Sequence, residues 1–451
     1  MQQVKSKTGY GMTLSACFWL GLFPLFQGGT YTRITYHKWI AMLALAGVTL
    51  LCFLFDLIRK RFTGTVPEEK PSRCAVISFI LAAALLLWTV LSCLLSSEAP
   101  KVWLLDSVSR YEGLVSQLCY FFLFSCFFLS RIRLKPVLLS AAVGVLVFFV
   151  IVLMQRGGGN PLGLYPGGRS FAQNPEFQGT IGNIDMGTGY LLLLAGLFLY
   201  GIISAVPRLK PPVHAAAASE KKNLLSASIF YPGVLLLAFL ITLWLIITMD
   251  VQFGVISLSV LFLVTLFRFL PKKYRLRVFL LLIVIVLIVV WFWPGHGGGL
   301  WELHEVLHGR TQLSFGSNRV AVWYYSLLLS GNNLLTGGGS GTFRTRFNHF
   351  IHENGLKIPT EQDGKALPDY FDTPHNEYIA QLTDHGLPAM ILFILLLLLS
   401  VFRKRDRLLP LLSPCSAAVL CYAVQAFFAF SVCIVAPMFW VILGLSLNEQ
   451  N

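Results

Sequence analysis

A chain of 451 residues with 56% hydrophobic and 12% charged residues falls well below the about 25% charged share of ordinary soluble domains. Such a chain has too little polar surface to cover a water-soluble fold, so the composition excludes a soluble globular enzyme and calls for lipid as part of the solvent. The net charge of +14 sits in short basic loops between apolar runs, which argues against a nucleic-acid footprint; no nucleic-acid partner is expected.

A helix needs roughly 20 apolar residues to cross about 30 Å of hydrocarbon. Twelve stretches qualify as spans. In chain order they are Gly11 to Phe26, Trp39 to Leu57, Ala75 to Leu95, Gly113 to Ser130, Pro136 to Gln155, Gly187 to Val206, Ser226 to Met249, Phe253 to Leu270, Val278 to Trp293, Leu387 to Phe402, Leu409 to Phe428 and Val432 to Leu447. Pro410, Pro414 and Ser416 make the eleventh the weakest. The fold class predicted is therefore all-α: a polytopic bundle of about twelve spans. It divides into residues 1–293 with nine spans, a loop domain at 294–386, and residues 387–451 with the last three.

Lys and Arg remain on the cytoplasmic side of a membrane. The clusters Arg59-Lys60-Arg61, Arg131, Arg133 and Lys135, Lys272, Lys273, Arg275 and Arg277, and Arg403, Lys404, Arg405 and Arg407 all fall on one side if the N-terminus is inside. Both termini are then expected in the cytoplasm, with the long loop outside. Lys5 and Lys7 before the first run resemble the start of a signal peptide, yet no small-residue cleavage site follows near Phe26 to Thr30, so the run is expected to stay as a span. The nine cysteines lie in or beside spans without a C-x-x-C pair, which supports neither a disulfide framework nor a thiolate metal site.

The outer loops are uneven: Trp103 to Glu112 is short, Arg156 to Asp185 is Gly-rich, and Pro294 to Gly386 is long. The widest inner loop, Pro207 to Asn223, is an Ala-rich linker with no catalytic constellation. Within the long loop, Arg319 to Ser330 reads as an amphipathic helix, with Ser317 and Asn318 as N-cap types. Gly337 to Gly341 reads as a tight, exposed turn close to a backbone or a ligand phosphate, without the Lys of a P-loop. A further helix is predicted to start near Pro374 or His375 and lead into the tenth span.

The span interiors hold almost no ionisable residues, whereas ion-coupled carriers place them near the bilayer centre. The candidates gather at the outer ends: Arg110 and Glu112, Arg169 and Asp185, Asp250, then Arg319, Asp372, His375 and Glu377. That pattern favours a reaction at the outer surface over transport. A polysaccharide flippase or exporter using a hydrated cationic cavity is the alternative. Arginines offer planar forks suited to a diphosphate, although each of Arg110, Arg169 and Arg319 can also be a snorkelling or salt-bridging surface residue. His375 beside Asp372 and Glu377 can accept a proton from an attacking hydroxyl, and Asn376 can bind a sugar hydroxyl or cap a helix. His304-Glu305-Val306-Leu307-His308 matches the zinc-protease pattern, but Gly309 ends the helix at once and no third ligand is placed nearby. No metal and no cofactor are expected, and a zinc-dependent protease is the remotest reading.

In this order the pieces resemble the O-antigen ligase and polymerase superfamily, membrane enzymes of the GT-C class. The resemblance rests on Ser109-Arg110-Tyr111-Glu112-Gly113-Leu114, Gly179-Thr180-Ile181-Gly182-Asn183, Ser317-Asn318-Arg319 with Trp323, Leu335-Thr336-Gly337-Gly338-Gly339-Ser340-Gly341-Thr342-Phe343, and Pro374-His375-Asn376-Glu377-Tyr378 with Gly386-Leu387. It implies a GT-C-like bundle in a bacterial cytoplasmic membrane. The implied activity is metal-independent transfer or polymerisation of a polyprenyl pyrophosphate-linked glycan onto a glycan, glycolipid or glycoprotein acceptor. It also implies catalytic roles for Arg319 and His375, with Arg110, Arg169, Glu112, Asn183, Asp372, Asn376, Glu377 and Tyr378 expected to bind substrate. One departure stands out: Asp250-Val251-Gln252-Phe253-Gly254 lacks the arginine many members carry there, leaving Arg169 to compensate, or else implying a changed substrate or lost activity.

Overall fold

Backbone amides facing hydrocarbon have no water to bond, so each apolar run closes its own hydrogen bonds as a helix. The computed structural model describes residues 9–62, 72–106, 110–206, 218–362, 365–366, 371–402 and 412–448. Lys5 and Lys7, Ser109, the linker from Pro207 to residue 217, Arg403 to Arg407, Leu409 and Pro410 lie outside the described residues.

In chain order the helices are α1 Tyr10–Cys17, α2 Ile34–Phe62, α3 Arg73–Leu94, α4 Pro100–Leu105, α5 Leu114–Phe128, α6 Leu134–Arg156, α7 Ile184–Ala205, α8 Ala218–Met249, α9 Gln252–Phe269, α10 Lys272–Trp291, α11 Gly299–Leu307, α12 Arg319–Gly331, α13 Phe343–Glu353, α14 Glu377–Phe402, α15 Pro414–Gln425 and α16 Ala436–Leu447. Two small antiparallel hairpins, β1 Phe177–Gln178 with β2 Gly182–Asn183 and β3 Glu361–Gln362 with β4 Lys365–Ala366, and some short 3-10 and π-helical turns accompany them. Eight of these helices, or their apolar parts, are long and apolar enough to cross a membrane. Shorter apolar helices occupy Tyr10–Leu25, Leu114–Phe128, Pro414–Gln425 and Ala436–Leu447, the places of the first, fourth, eleventh and twelfth predicted spans. The molecule is a polytopic helical membrane protein.

The short ones have local causes. The first run is α-helical only to Cys17, widens to a π-helical turn over Phe18–Leu22 and ends in a 3-10 turn Phe23–Leu25 that contains Pro24; a proline lacks the N–H that a continuing helix needs. The Lys38 side chain, fully buried on α2, donates to the carbonyls of Phe23 and Pro24 at 2.8 Å each. At the opposite end, Asp56 of α2 accepts from the first amides of α1, Gly11 N at 3.1 Å and Met12 N at 2.8 Å. A carboxylate placed there answers donors with no intrahelical partner.

The core runs along α7, whose stretch from Met186 to Gly201 is buried except at Leu199. Helices approach closely in lipid where side chains are small. Gly196 of α7 faces the Ala417–Ala418 backbone of α15, and Gly444 of α16 faces the backbone of Phe124 on α5. At the other extreme, α10 buries only Val290.

The long loop folds as α11–α13 and packs a small apolar cluster of its own, Ala321, Val322, Tyr325 and Leu329 of α12 with Phe343, Phe347 and Phe371. The α12 helix begins at Arg319 as predicted, but Asn318 does not cap it. Asn318 is in the left-handed conformation with φ 70°, and its side chain donates to the Pro359 carbonyl at 2.6 Å instead. The turn at residues 337–341 is also a correction: residues Gly337 to Ser340 are buried, not exposed. Gly338 N and Gly339 N donate to the Thr383 and Asp384 carbonyls of α14 at 3.1 and 2.7 Å. Glycine is required at 337, with φ 64°, because a Cβ would collide with the Asp384 backbone. The close approach is therefore to α14.

Candidate functional site

Between loops that join the helices lies a cavity of about 780 Å³. One wall is built from the loop before α2 and the loop before α7, tied together by the buried Tyr31. Tyr31 N donates to the Leu164 carbonyl at 2.9 Å and Tyr31 OH to the Gly179 carbonyl at 2.8 Å. Gln155 Nε2 donates to the same hydroxyl at 2.7 Å while Gln155 Oε1 accepts from Gly179 N at 2.6 Å. Along that wall, Arg33, Asn183 and Asp185 face the cavity. Asn183 also caps α7, its side chain accepting from Asp185 N at 2.8 Å.

Arg110, Asp372 and His375 form the opposite wall. Arg110 Nε lies 2.6 Å from Asp372 Oδ2, across 262 residues of chain, and the guanidinium stacks 4.3 Å over the Phe430 ring. His375 sits just before α14 with φ 50°, its ring edge-on to Phe430. Burial lowers the His375 pKa from its usual value to about 4, and the nearby charge of Arg319 pushes in the same direction. The imidazole is therefore neutral near pH 7. The Thr373 carbonyl, 3.2 Å from Nδ1, favours the tautomer with its proton there. The Nε2 lone pair is left for another group, an arrangement suited to a general base.

Arg319 is not among the residues that line the cavity. Its charge acts on both His375 and Asp185, and its buried Nε has no hydrogen-bond partner. Trp323, one turn along α12, donates to the Pro374 carbonyl at 2.9 Å. The segment carrying His375 is thus held by the helix that carries Arg319.

Four other candidates are engaged in the fold. Asn376 is a helix cap, accepting from Tyr378 N and Ile379 N at 3.0 and 3.1 Å. Glu377 accepts from the Tyr422 hydroxyl at 2.6 Å, and Tyr378 OH donates to the Ala423 carbonyl at 2.6 Å. Glu112 lines a small adjoining cleft of about 70 Å³ that shares Arg110 and Asp372 with the cavity. Burial pushes its carboxyl up to about 8 against the opposing effect of Tyr120 OH, which donates to it at 2.6 Å. Arg169 is exposed on its loop and does not line the cavity. Arg33, by contrast, was not singled out in the sequence, where it reads as one more loop cation.

The zinc-protease pattern does not assemble. Glu305 makes a two-point ion pair with Arg310 at 2.6 and 2.7 Å, and each histidine's Nδ1 lies beside a backbone carbonyl, Val290 for His304 and His304 for His308. Among the described residues no group of three or more His, Cys, Asp or Glu is arranged to hold a metal ion.

No curated protein matches the chain. A family model described as O-antigen ligase matches residues 236–394. That segment runs from within α8 through α11–α13 and into α14, and contains Arg319, Asp372 and His375. The chain is a membrane protein of polysaccharide biosynthesis that carries an O-antigen ligase domain.

Proposed function

We infer that the chain transfers a glycan from a polyprenyl diphosphate carrier to an acceptor hydroxyl at the outer face of a bacterial cytoplasmic membrane. The bundle is read as GT-C-like, with both termini cytoplasmic. The observation that carries this reading is that three distant parts of the chain, Arg110, Asn183 with Asp185, and Asp372 with His375, line one cavity, with the charge of Arg319 acting on His375.

In this reading the acceptor oxygen attacks the anomeric carbon of the donor sugar. The bond from that carbon to the phosphate oxygen breaks, and the carrier departs as polyprenyl diphosphate. His375 Nε2 takes the hydroxyl proton; a neutral imidazole does so without first losing its own. Arg110 faces the negative charge that grows on the leaving diphosphate and Arg319 adds its field from outside the lining; fixed cations in a partly dehydrated site stabilise that charge without reorganising. Asp372 holds Arg110 in position rather than touching the sugar.

The test is chemical. Purified protein in lipid nanodiscs is given a polyprenyl diphosphate-linked oligosaccharide and glycan acceptors, and products are followed by mass spectrometry. Appearance of a longer glycan together with free polyprenyl diphosphate supports transfer, and the acceptor that works separates ligation from polymerisation. Release of neither product by an intact, folded protein would sink the reading.

A further inference from the structure

The charges around the cavity are mostly spoken for. Arg110 is paired with Asp372 at 2.6 Å, and the charge of Arg319 acts on Asp185. His375 is neutral near pH 7. With these alone the site is balanced near zero, and a balanced site is a weak receptor for a diphosphate ester, which carries about two negative charges at neutral pH.

Arg33 breaks the balance. It lines the cavity, and among the described residues its guanidinium has no hydrogen-bond or ion-pair partner. Nor does it hang from a loose loop. Two residues earlier Tyr31 is 7% exposed and tied by three hydrogen bonds to residues 155, 164 and 179, and one residue later the buried Ile34 opens α2. The short helical turn Tyr31–Arg33 thus presents an uncompensated cation from a fixed backbone. An arginine fork held this way can bridge oxygens of two adjacent phosphates, which a single phosphate does not offer.

We propose that Arg33 is the residue that gives the cavity its net positive charge and its preference for a diphosphate over a monophosphate. The proposal rests on the reading of the cavity as the donor site, and it assigns the carrier's diphosphate to the wall that faces Arg110. It also supplies, from a different loop, a cation to a chain whose Asp250–Gly254 stretch carries none.

The experiment measures affinity for inorganic pyrophosphate and for inorganic phosphate, using the full chain in nanodiscs of zwitterionic lipid, so that headgroup charge does not contribute. The variants are Arg33→Gln and Arg33→Lys, with Arg110→Gln as comparison. Arg33→Gln is expected to weaken pyrophosphate binding on the order of tenfold, about 1.4 kcal/mol, with a smaller change for phosphate, so the preference collapses. In transfer assays its KM for the donor rises while kcat changes little, and Arg33→Lys recovers most of the affinity. An unchanged pyrophosphate-to-phosphate ratio in Arg33→Gln, while Arg110→Gln binds poorly, overturns the role of Arg33 and leaves the donor-site reading standing. Failure of the parent protein to bind pyrophosphate or to transfer glycan removes both. Thermal unfolding equal to the parent's separates loss of binding from loss of fold.

Discussion

Two histidines ten positions apart stand in opposite situations. His385, inside α14, is bonded on both sides: its Nδ1 lies 2.9 Å from Gln381 Oε1 and its Nε2 2.8 Å from the buried hydroxyl of Ser340. Beside it Arg346 reaches the Thr383 carbonyl at 2.7 Å and Asp384 at 3.2 Å. His375 has the Thr373 carbonyl near Nδ1, no hydrogen-bond partner for Nε2 among the described residues, and a place in the lining of a cavity. Both have an arginine and an aspartate nearby, so residue type does not tell them apart. A buried polar group with every partner present contributes to a unique fold, whereas one left with an unused lone pair beside open space is available for chemistry.

The sharpest way to break this contrast is to exchange the two roles. His375→Ala is expected to lower kcat by about 10²–10⁴-fold, the usual worth of a positioned general base, while thermal stability stays close to that of the parent. Equal activity in parent and variant would end the assignment. His385→Ala should do the reverse, costing about 1–3 kcal/mol of stability by stranding the Ser340 hydroxyl and Gln381, with turnover per folded molecule mostly retained.

Next in size is the Arg110–Asp372 pair. Both partners are partly exposed, so the pair is not worth the several kcal/mol of a fully buried one. Arg110→Gln should reduce kcat/KM by roughly ten- to a hundredfold through lost charge at the leaving group. Adding Asp372→Asn should then cost less than it does alone, because the aspartate's task is to hold an arginine no longer present. Additive losses in that double-mutant cycle would separate the two residues.

Smaller again is Trp323→Phe, which removes the bond to the Pro374 carbonyl and should cost about 1 kcal/mol, read as a few-fold loss of kcat with KM little changed. The smallest effect is on pH. A base whose pKa in the fold is about 4 stays unprotonated down to that range, so the acid limb of kcat/KM is expected near pH 4 and not near 6.5. Because the unfolded chain binds this proton first, stability rises with pH between about 4 and 6.5 and is flat above it. Removing the Arg319 charge should move the limb upward by only part of that interval, since burial is the larger cause.

What could be read in the sequence follows from range. The apolar runs, the start of α12 at Arg319 and the position of His375 before α14 were legible because period, length and local composition decide them. The burial of the 337–341 turn was not, since only the arrival of α14 makes it interior. Asn318 has the right chemistry for a cap, yet a carbonyl at Pro359 competes for its side chain. Arg33 stayed hidden for the same reason. Its significance depends on Tyr31 meeting Gly179, a contact spanning 148 positions that no window of sequence contains.

The walls of the cavity extend from Tyr31 to Ile434, which has a consequence for biogenesis. Helices enter the bilayer one after another as the chain is made, and the seam at Tyr31 closes only once residue 179 has emerged. Phe430 and Ile434 come between α15 and α16, so the cavity read as the donor site is not closed until residue 434 has emerged. A ribosome-bound or truncated intermediate therefore presents cations to the membrane surface without the pocket that would make them selective.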